Sequence, residues 1–306
     1  MNDLLYIKQE VVSFYISGVF ILISFWLYSA SWLNNKLDLF KKIAKASMVC
    51  GLAALIFCLF FRGLSLNFFP LTNLYESLLV FAVAVICSYL FLDFKFKISS
   101  FGWIINGFLI LLFLYAIFLP ETQKQIVPLI PALQSYWRLV HVPPLLFSYS
   151  LFLIAGFSSV GYLIEVALVS RKNAGQNPKK VQVQTDKSGI VINSELREVS
   201  QRAHFLSEVS YRSITFGFPL LTIGIINGAL WANHAWGALW QWDPKETMAL
   251  VTLFVYAIYL HFRLNAKASG VILALISLLG VFMVYLTYFG VNQFNFGGLH
   301  TYGKIE

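Results

Sequence analysis

Charged residues are scarce in this sequence. Only 12% of its 306 residues are Asp, Glu, Lys or Arg, whereas a soluble domain has about 25%. Hydrophobic residues make up 58%, the mean hydropathy is +0.73, and apolar runs long enough to cross a bilayer recur along the chain. This composition excludes an ordinary soluble domain and predicts an all-α, polytopic helical membrane protein.

Cysteine motifs are also absent. The three cysteines, Cys50, Cys58 and Cys87, stand singly in apolar runs. Without a CxxC pair the sequence has no disulfide framework, no zinc site and no CxxCH haem-attachment signature, so the thiols are interpreted as small packing residues. The first apolar run lacks a basic leading region and a small-residue cleavage site, which predicts a retained helix rather than a signal peptide.

Eight apolar runs are predicted to be membrane-spanning helices. They cover approximately residues 11–33, 43–62, 72–93, 101–119, 141–169, 211–231, 246–262 and 270–289. The fifth is long enough to protrude from the bilayer. The polar segment 171–210 follows it, and its pattern predicts a small hairpin over 180–192 and an amphipathic helix over 194–210. We interpret this segment as a solvated connector.

Basic residues are unequally divided between the two sets of loops. Sixteen of the 22 lysines and arginines follow odd-numbered spans, within 36–45, 95–97, 171–212 and 263–267. Because basic residues accumulate in cytoplasmic loops, those loops are predicted to be inside and both termini outside. The net charge of +8 therefore reports topology, and no nucleic-acid partner is expected.

The most unusual stretch is Trp236–Thr247, called the Trp loop below. Trp236, Trp240 and Trp242 fall within seven residues and are followed by Asp243 and Glu246. Clustered indoles favour a flat apolar surface at a membrane boundary, because each offers a wide face and one N–H donor. Asp243 is predicted to be the N-cap of the next helix, and Glu246 lies in its first turn, where the helix dipole stabilises an acid.

Two histidines are predicted to share the outer side with the Trp loop. His141 stands at the start of the fifth span, and His300 lies in the tail 290–306. Two imidazoles beside an aromatic platform are the parts needed to hold a flat metalloporphyrin by both axial positions. Two independent interfacial histidines are the alternative, and the residue pattern leaves both open.

His261 lies near the inner end of the seventh span, roughly 22 Å along the helix from Glu246. It cannot share a metal with His141 and His300. If it binds haem, it forms a deeper site, with the second ligand from another polypeptide or a different side chain; simple snorkelling is the alternative. His204 is predicted to be solvated, and His234, beside the Trp loop, receives no function.

The Trp loop resembles the WWD signature of the haem-handling membrane proteins of cytochrome c maturation, in particular the CcsA (ResC-like) family of System II in bacteria and plastids. The resemblance covers most of 65–303, and eight spans agree with it. His234 departs from the pattern, because plastid relatives often have an acid there. The other segments that carry the resemblance are Phe69–Ser77, Ile258–Arg263, Tyr288–Asn292 and Leu299–Gly303.

The resemblance implies a haem substrate, haem b, and a role for each residue. His141 and His300 would be axial ligands of haem held under the Trp loop by Trp236, Trp240, Trp242 and Asp243. His261 would ligate haem during export, with the second histidine supplied by a CcsB-type membrane protein. No catalytic residue is identified; Asp243 and Glu246 are candidates for acid–base chemistry.

The implied activity is that of a holocytochrome c synthase, or haem lyase, component. It would join haem by thioether bonds to the CxxCH motif of apocytochrome c, with thiol-reducing pathway proteins as further partners. The expected location is a plastid thylakoid membrane or a bacterial cytoplasmic or thylakoid membrane. A haem chaperone without ligation activity, resembling CcmC, is the alternative, followed by an unrelated transporter.

The expected divisions of the chain are 1–64, 65–170 with His141, the connector 171–210, and 211–306 with the Trp loop and His300.

Overall fold

The computed structural model describes residues 2–34, 37–125, 134–175, 194–265 and 268–290. Eight helices in this part of the chain are long and apolar enough to cross a membrane, which confirms the predicted all-α architecture. They are α1 (Asn2–Leu33), α2 (Asp38–Leu66), α3 (Leu74–Phe96), α4 (Gly102–Phe118), α5 (Trp137–Gly175), α6 (Ser194–Trp236), α7 (Pro244–Leu264) and α8 (Gly270–Tyr285). A π-helical turn, Leu286–Gly290, extends α8.

Helices α5 and α6 are the longest of the described helices and extend well beyond what a bilayer requires. Helix α5 has 39 residues, which is about 58 Å at 1.5 Å per residue and nearly twice the hydrocarbon thickness. The predicted amphipathic helix 194–210 and the sixth span form one uninterrupted helix of 43 residues, α6, because no Gly or Pro interrupts 194–216. The predicted hairpin at 180–192 lies outside the described residues.

Helix α3 lies at the centre of the bundle. It contacts α2, α4 and α5, and its side chains Leu78, Ile86 and Tyr89 are almost completely buried. Helices α1, α2 and α4 pack together on one side of α3, and α5 to α8 pack together on the other. Since α3 is covered on both sides, it ties the two groups of helices into one bundle.

The start of α3 is held by a buried ion cluster that joins three helices. Arg62 of α2 lies 3.0 Å from Glu76 of α3 and 3.3 Å from Glu10 of α1. Its Nη2 also donates to the carbonyl oxygen of Lys124 at 2.6 Å. Glu76 is fully buried and accepts further hydrogen bonds from the backbone and hydroxyl of Thr72. The cluster fixes the end of the bundle at which α3, α5 and α7 begin.

That end of the bundle also carries the end of α6 and the Trp loop. It is the end that the distribution of basic residues predicts to be outside, and the side of the membrane stays a prediction.

Candidate functional site

The connection between α6 and α7 is short, and its first residue is a glycine. Gly237 has φ +76°, a left-handed conformation that a residue with a Cβ rarely adopts. Its N–H donates to the carbonyl oxygen of Asn233 at 2.9 Å. This is the left-handed C-cap that ends a helix and turns the chain sharply, and it places the following indoles at the end of the bundle.

The other end of the connection is fixed by a capping box. The Oδ1 of Asp243 accepts a hydrogen bond from the N–H of Lys245 at 2.9 Å. The Oε2 of Glu246 accepts from the N–H groups of Asp243 at 3.2 Å and Gln241 at 2.9 Å. Both carboxylates therefore hold the backbone of the Trp loop, as predicted for a helix start. An acid–base role for either stays a prediction.

The three indoles of the Trp loop occupy different environments. Trp240 is half-buried and lines a cavity of about 300 Å³. Trp242 is 69% exposed and packs edge-on against Trp240, with ring centroids 5.9 Å apart. Trp236, the last residue of α6, is half-buried but does not line this cavity. Of the three indoles of the Trp loop, only Trp240 lines the cavity.

The cavity lies between the starts of α3, α5 and α7 and the ends of α6 and α8. Its polar wall includes Arg138, His141 and Lys245, and its apolar wall includes Leu145, Trp231 and Trp240. Tyr149 and Tyr288 line it as well. A mostly apolar pocket with a few convergent polar groups is the usual form of a small-molecule site, and this volume is at the lower end of such sites.

His141 is held in a defined orientation. Its Nδ1 lies 2.8 Å from the carbonyl oxygen of Gly224 on α6. A carbonyl oxygen can only accept, so Nδ1 carries the hydrogen and Nε2 is the basic nitrogen of the neutral ring. Histidines that ligate metals usually donate their other N–H to a carbonyl or carboxylate in this way. The residues present therefore fit an iron ligand at Nε2 of His141.

The close approach of α5 to α6 beside His141 depends on two glycines. A Cβ on Gly228 would lie 2.6 Å from Cε1 of His141, and one on Gly224 would lie 2.4 Å from a methyl carbon of Leu145. Gly224 and Gly228 are four residues apart, the GxxxG spacing that lets membrane helices pack closely. The sequence interpretation missed this motif, although the spacing alone could have indicated it.

Two prolines shape the same contact. Pro143 and Pro144 lie inside α5, so their missing N–H groups leave the carbonyls four residues earlier without helical partners. The carbonyl of Val140 accepts instead from the side-chain amide of Asn227 on α6, at 2.8 Å. A backbone group freed by proline in a membrane helix is thus satisfied by the neighbouring helix. Together with the His141–Gly224 bond, this contact joins the start of α5 to α6.

Trp231 is a further site residue that sequence reasoning missed. It is 6% exposed and lines the cavity. Its ring packs edge-on near His141, with centroids 5.7 Å apart. It lies five residues before the first indole of the Trp loop, and nothing in the sequence distinguished it from an interfacial tryptophan.

His204, His234 and His261 do not line the cavity. His261 is exposed on α7 and contacts Asn265 and the ring of Phe262. His234 and His204 are also exposed, and His300 lies outside the described residues. No group of three His, Cys, Asp or Glu side chains that could hold a bare metal ion occurs in the described ranges. An iron porphyrin needs only axial ligands, so it remains compatible with this arrangement.

The sequence profile of the cytochrome c assembly protein family matches residues 71–299. This chain belongs to that family. A family member from Heterosigma akashiwo, a cytochrome c biogenesis protein CcsA, is 35% identical over 301 residues, covering 94% of this chain and 92% of its own. CcsA proteins of Guillardia theta and a Synechococcus species are 35% and 38% identical, covering 93% and 80% of this chain and 92% and 79% of their own.

The bundle also resembles a solved structure of the cytochrome c haem lyase CcmF. The TM-score is 0.63 at 14% identity, covering 92% of this chain and 46% of that protein. At this identity the likeness shows the fold alone, and this chain spans less than half the length of CcmF. Family membership and the eight helices make this protein a multi-pass membrane protein of cytochrome c maturation. The unrelated transporter is thereby set aside.

Proposed function

We propose that this protein, with a CcsB-type partner, exports haem b, holds it beside the Trp loop and promotes its thioether attachment to apocytochrome c. His141 and His300 would be the axial ligands, Trp240 would pack on the macrocycle, and His261 would ligate haem during export. The membrane would be a plastid thylakoid membrane or its bacterial counterpart. The similar proteins are named cytochrome c biogenesis protein CcsA, and this name supports the proposal.

The observation that carries the proposal is the bond from Nδ1 of His141 to the carbonyl of Gly224. It fixes the tautomer that an iron ligand needs, in a residue that lines a cavity walled by two indoles. The ring of His141 also packs against Gly228, where a Cβ would lie 2.6 Å from Cε1, so helix packing as well as this bond sets the position of the imidazole.

His300 is compatible with the same cavity. Tyr288 lines the cavity, and the described chain ends at Gly290. Ten further residues lead to His300, and a chain of that length reaches about 33 Å when extended. The second axial ligand can therefore be supplied from the tail of the proposed division 211–306.

His261 is proposed to face the partner. It follows Val251, Phe254 and Ile258 at spacings of three and four residues, and all three are exposed. This is the spacing of a helix seam, with one ligand-type side chain among apolar ones. A helix of the CcsB-type partner laid along this seam could supply the second histidine.

In the proposed reaction the protein positions haem, while the iron porphyrin and the thiols carry the chemistry. Each cysteine thiol of CxxCH adds across a haem vinyl group: sulfur bonds to one vinyl carbon and the thiol hydrogen ends on the other. The addition needs reduced thiols, which explains the expected thiol-reducing partners. The histidine of CxxCH would take the place of one protein imidazole on the iron, which brings the thiols to the vinyl groups.

The proposal is tested by covalent attachment in cells. We would co-express the chain, its partner and a CxxCH reporter, and measure haem that stays with the reporter after denaturation. His141→Ala, His300→Ala and His261→Ala should each abolish attachment, while His204→Ala should not. If wild type retains haem but leaves the reporter unmodified, the protein is a haem chaperone like the CcmC alternative.

A further inference from the structure

Arg138 is a buried cation beside the cavity that the proposed reaction has not used. It precedes His141 by three residues on α5, so the two side chains are neighbours on one helix face. It is 4% exposed and lines the cavity with His141. Its guanidinium lies over the ring of Phe68, 5.4 Å from the centroid, and Nη2 donates to the carbonyl of Phe69 at 3.4 Å.

The hydrogen bonding of this guanidinium is incomplete. Its Nε and Nη1 have no hydrogen-bond partner among the described residues, and no carboxylate in that part of the chain forms an ion pair with it. Arginine keeps its charge in proteins, and a buried charge with unmade hydrogen bonds is costly. The nearby Arg62 shows the contrast, because Glu10 and Glu76 neutralise it.

We propose that Arg138 binds a carboxylate of the molecule that enters the cavity. Arginine matches carboxylates best among the side chains, because its planar donors fit the two oxygens. Lys245 lines the same cavity and adds a second positive charge. The ligand is therefore an acidic molecule rather than a neutral lipid or quinone.

This inference rests on the proposed function for the identity of the carboxylate, which is then a propionate of haem. A macrocycle ligated by His141 and anchored one helical turn away by Arg138 can no longer rotate about the axial bond. The vinyl edge, opposite the propionates, would then be held on the side away from Arg138. Arg138 thus determines which edge of haem faces Phe68 and which is left for the thiols.

The test compares iron protoporphyrin IX with its dimethyl ester, in which both carboxylates are blocked. The full chain is purified in detergent and titrated with each porphyrin, as wild type, Arg138→Met and Arg212→Met. Arg212 is the matched control, because it lies over the ring of Phe96, near the other end of the bundle. A charged hydrogen bond should make wild type bind haem about tenfold or more tightly than the ester.

Arg138→Met should lose that preference and bind both porphyrins with the affinity of wild type for the ester, while Arg212→Met keeps it. If Arg138→Met does not fold, Arg138→Gln takes its place in the comparison, because Lys245 also lines the cavity and a wild-type preference alone does not identify Arg138. Equal wild-type affinities for haem and ester would overturn the Arg138 proposal and leave the proposed function intact. Absence of any porphyrin bound through His141 in wild type would overturn both.

Discussion

The Nδ1 of His141 lies 2.8 Å from the carbonyl oxygen of Gly224, 83 residues away in the sequence. This contact ties the start of α5 to α6 and leaves Nε2 as the basic nitrogen of the ring. The packing of two membrane helices and the orientation of a candidate iron ligand therefore depend on the same few atoms.

The first prediction concerns the helix contact. Gly228→Ala places a methyl carbon 2.6 Å from Cε1 of His141 and should displace the imidazole, so haem bound per protein in purified samples should fall strongly. Gly217→Ala is a matched control, since its Cβ would meet Phe152 at 2.7 Å in the same α5–α6 interface without touching His141. Equal haem loss in both variants would mean that general packing, rather than His141, is responsible.

The second prediction distinguishes the contributions of Trp240 and Trp242 to haem binding. Trp240 lines the cavity, whereas Trp242 is 69% exposed. Trp240→Ala should weaken haem binding about tenfold or more, as expected for a central aromatic contact, and Trp242→Ala should have a much smaller effect. Titration of the purified variants with haem measures both. A larger effect at Trp242 would contradict the placement of Trp240 as the cavity wall.

The third prediction distinguishes structure from acid–base chemistry at Glu246. One oxygen, Oε2, accepts both backbone hydrogen bonds, and the amide oxygen of glutamine can do the same. Glu246→Gln should therefore retain haem attachment to a CxxCH reporter, whereas Glu246→Ala should lower the free energy of unfolding by about 1 kcal/mol and weaken haem retention. If Glu246→Gln binds haem normally but attaches none to the reporter, the carboxylate of Glu246 takes part in the chemistry of attachment.

The fourth prediction concerns stability. Arg62→Met leaves the buried carboxylates of Glu10 and Glu76 without their shared cation, and losing one partner of such a buried pair destabilises by about 3–5 kcal/mol. Thermal unfolding in detergent should show a large decrease in midpoint. Lys41→Ala, which breaks the pair with the exposed Asp38, should leave the midpoint nearly unchanged. Comparable shifts of the unfolding midpoint in the two variants would show that the buried cluster contributes no more to stability than an exposed ion pair.

The spans and the capping of α7 could be predicted from the sequence, because hydropathy and caps are local properties. Asp243 precedes Pro244 at a helix start, and the structure makes it the N-cap. Long-range contacts could not be predicted: the carbonyl that holds His141 has no sequence signature, and Trp240 and Trp242 differ only in their packing. Likewise, nothing in the sequence indicates that Arg62 forms two ion pairs while Arg138 forms none with the described residues.

The most direct test is the absorption spectrum of the purified chain titrated with haem in a His261→Ala background, which removes the proposed export site. We expect a bis-histidine spectrum that is lost in His141→Gly, is restored by added imidazole and is unchanged in His204→Gly. An unchanged haem occupancy and bis-histidine spectrum in His141→Gly would contradict the assignment of His141 as an axial ligand.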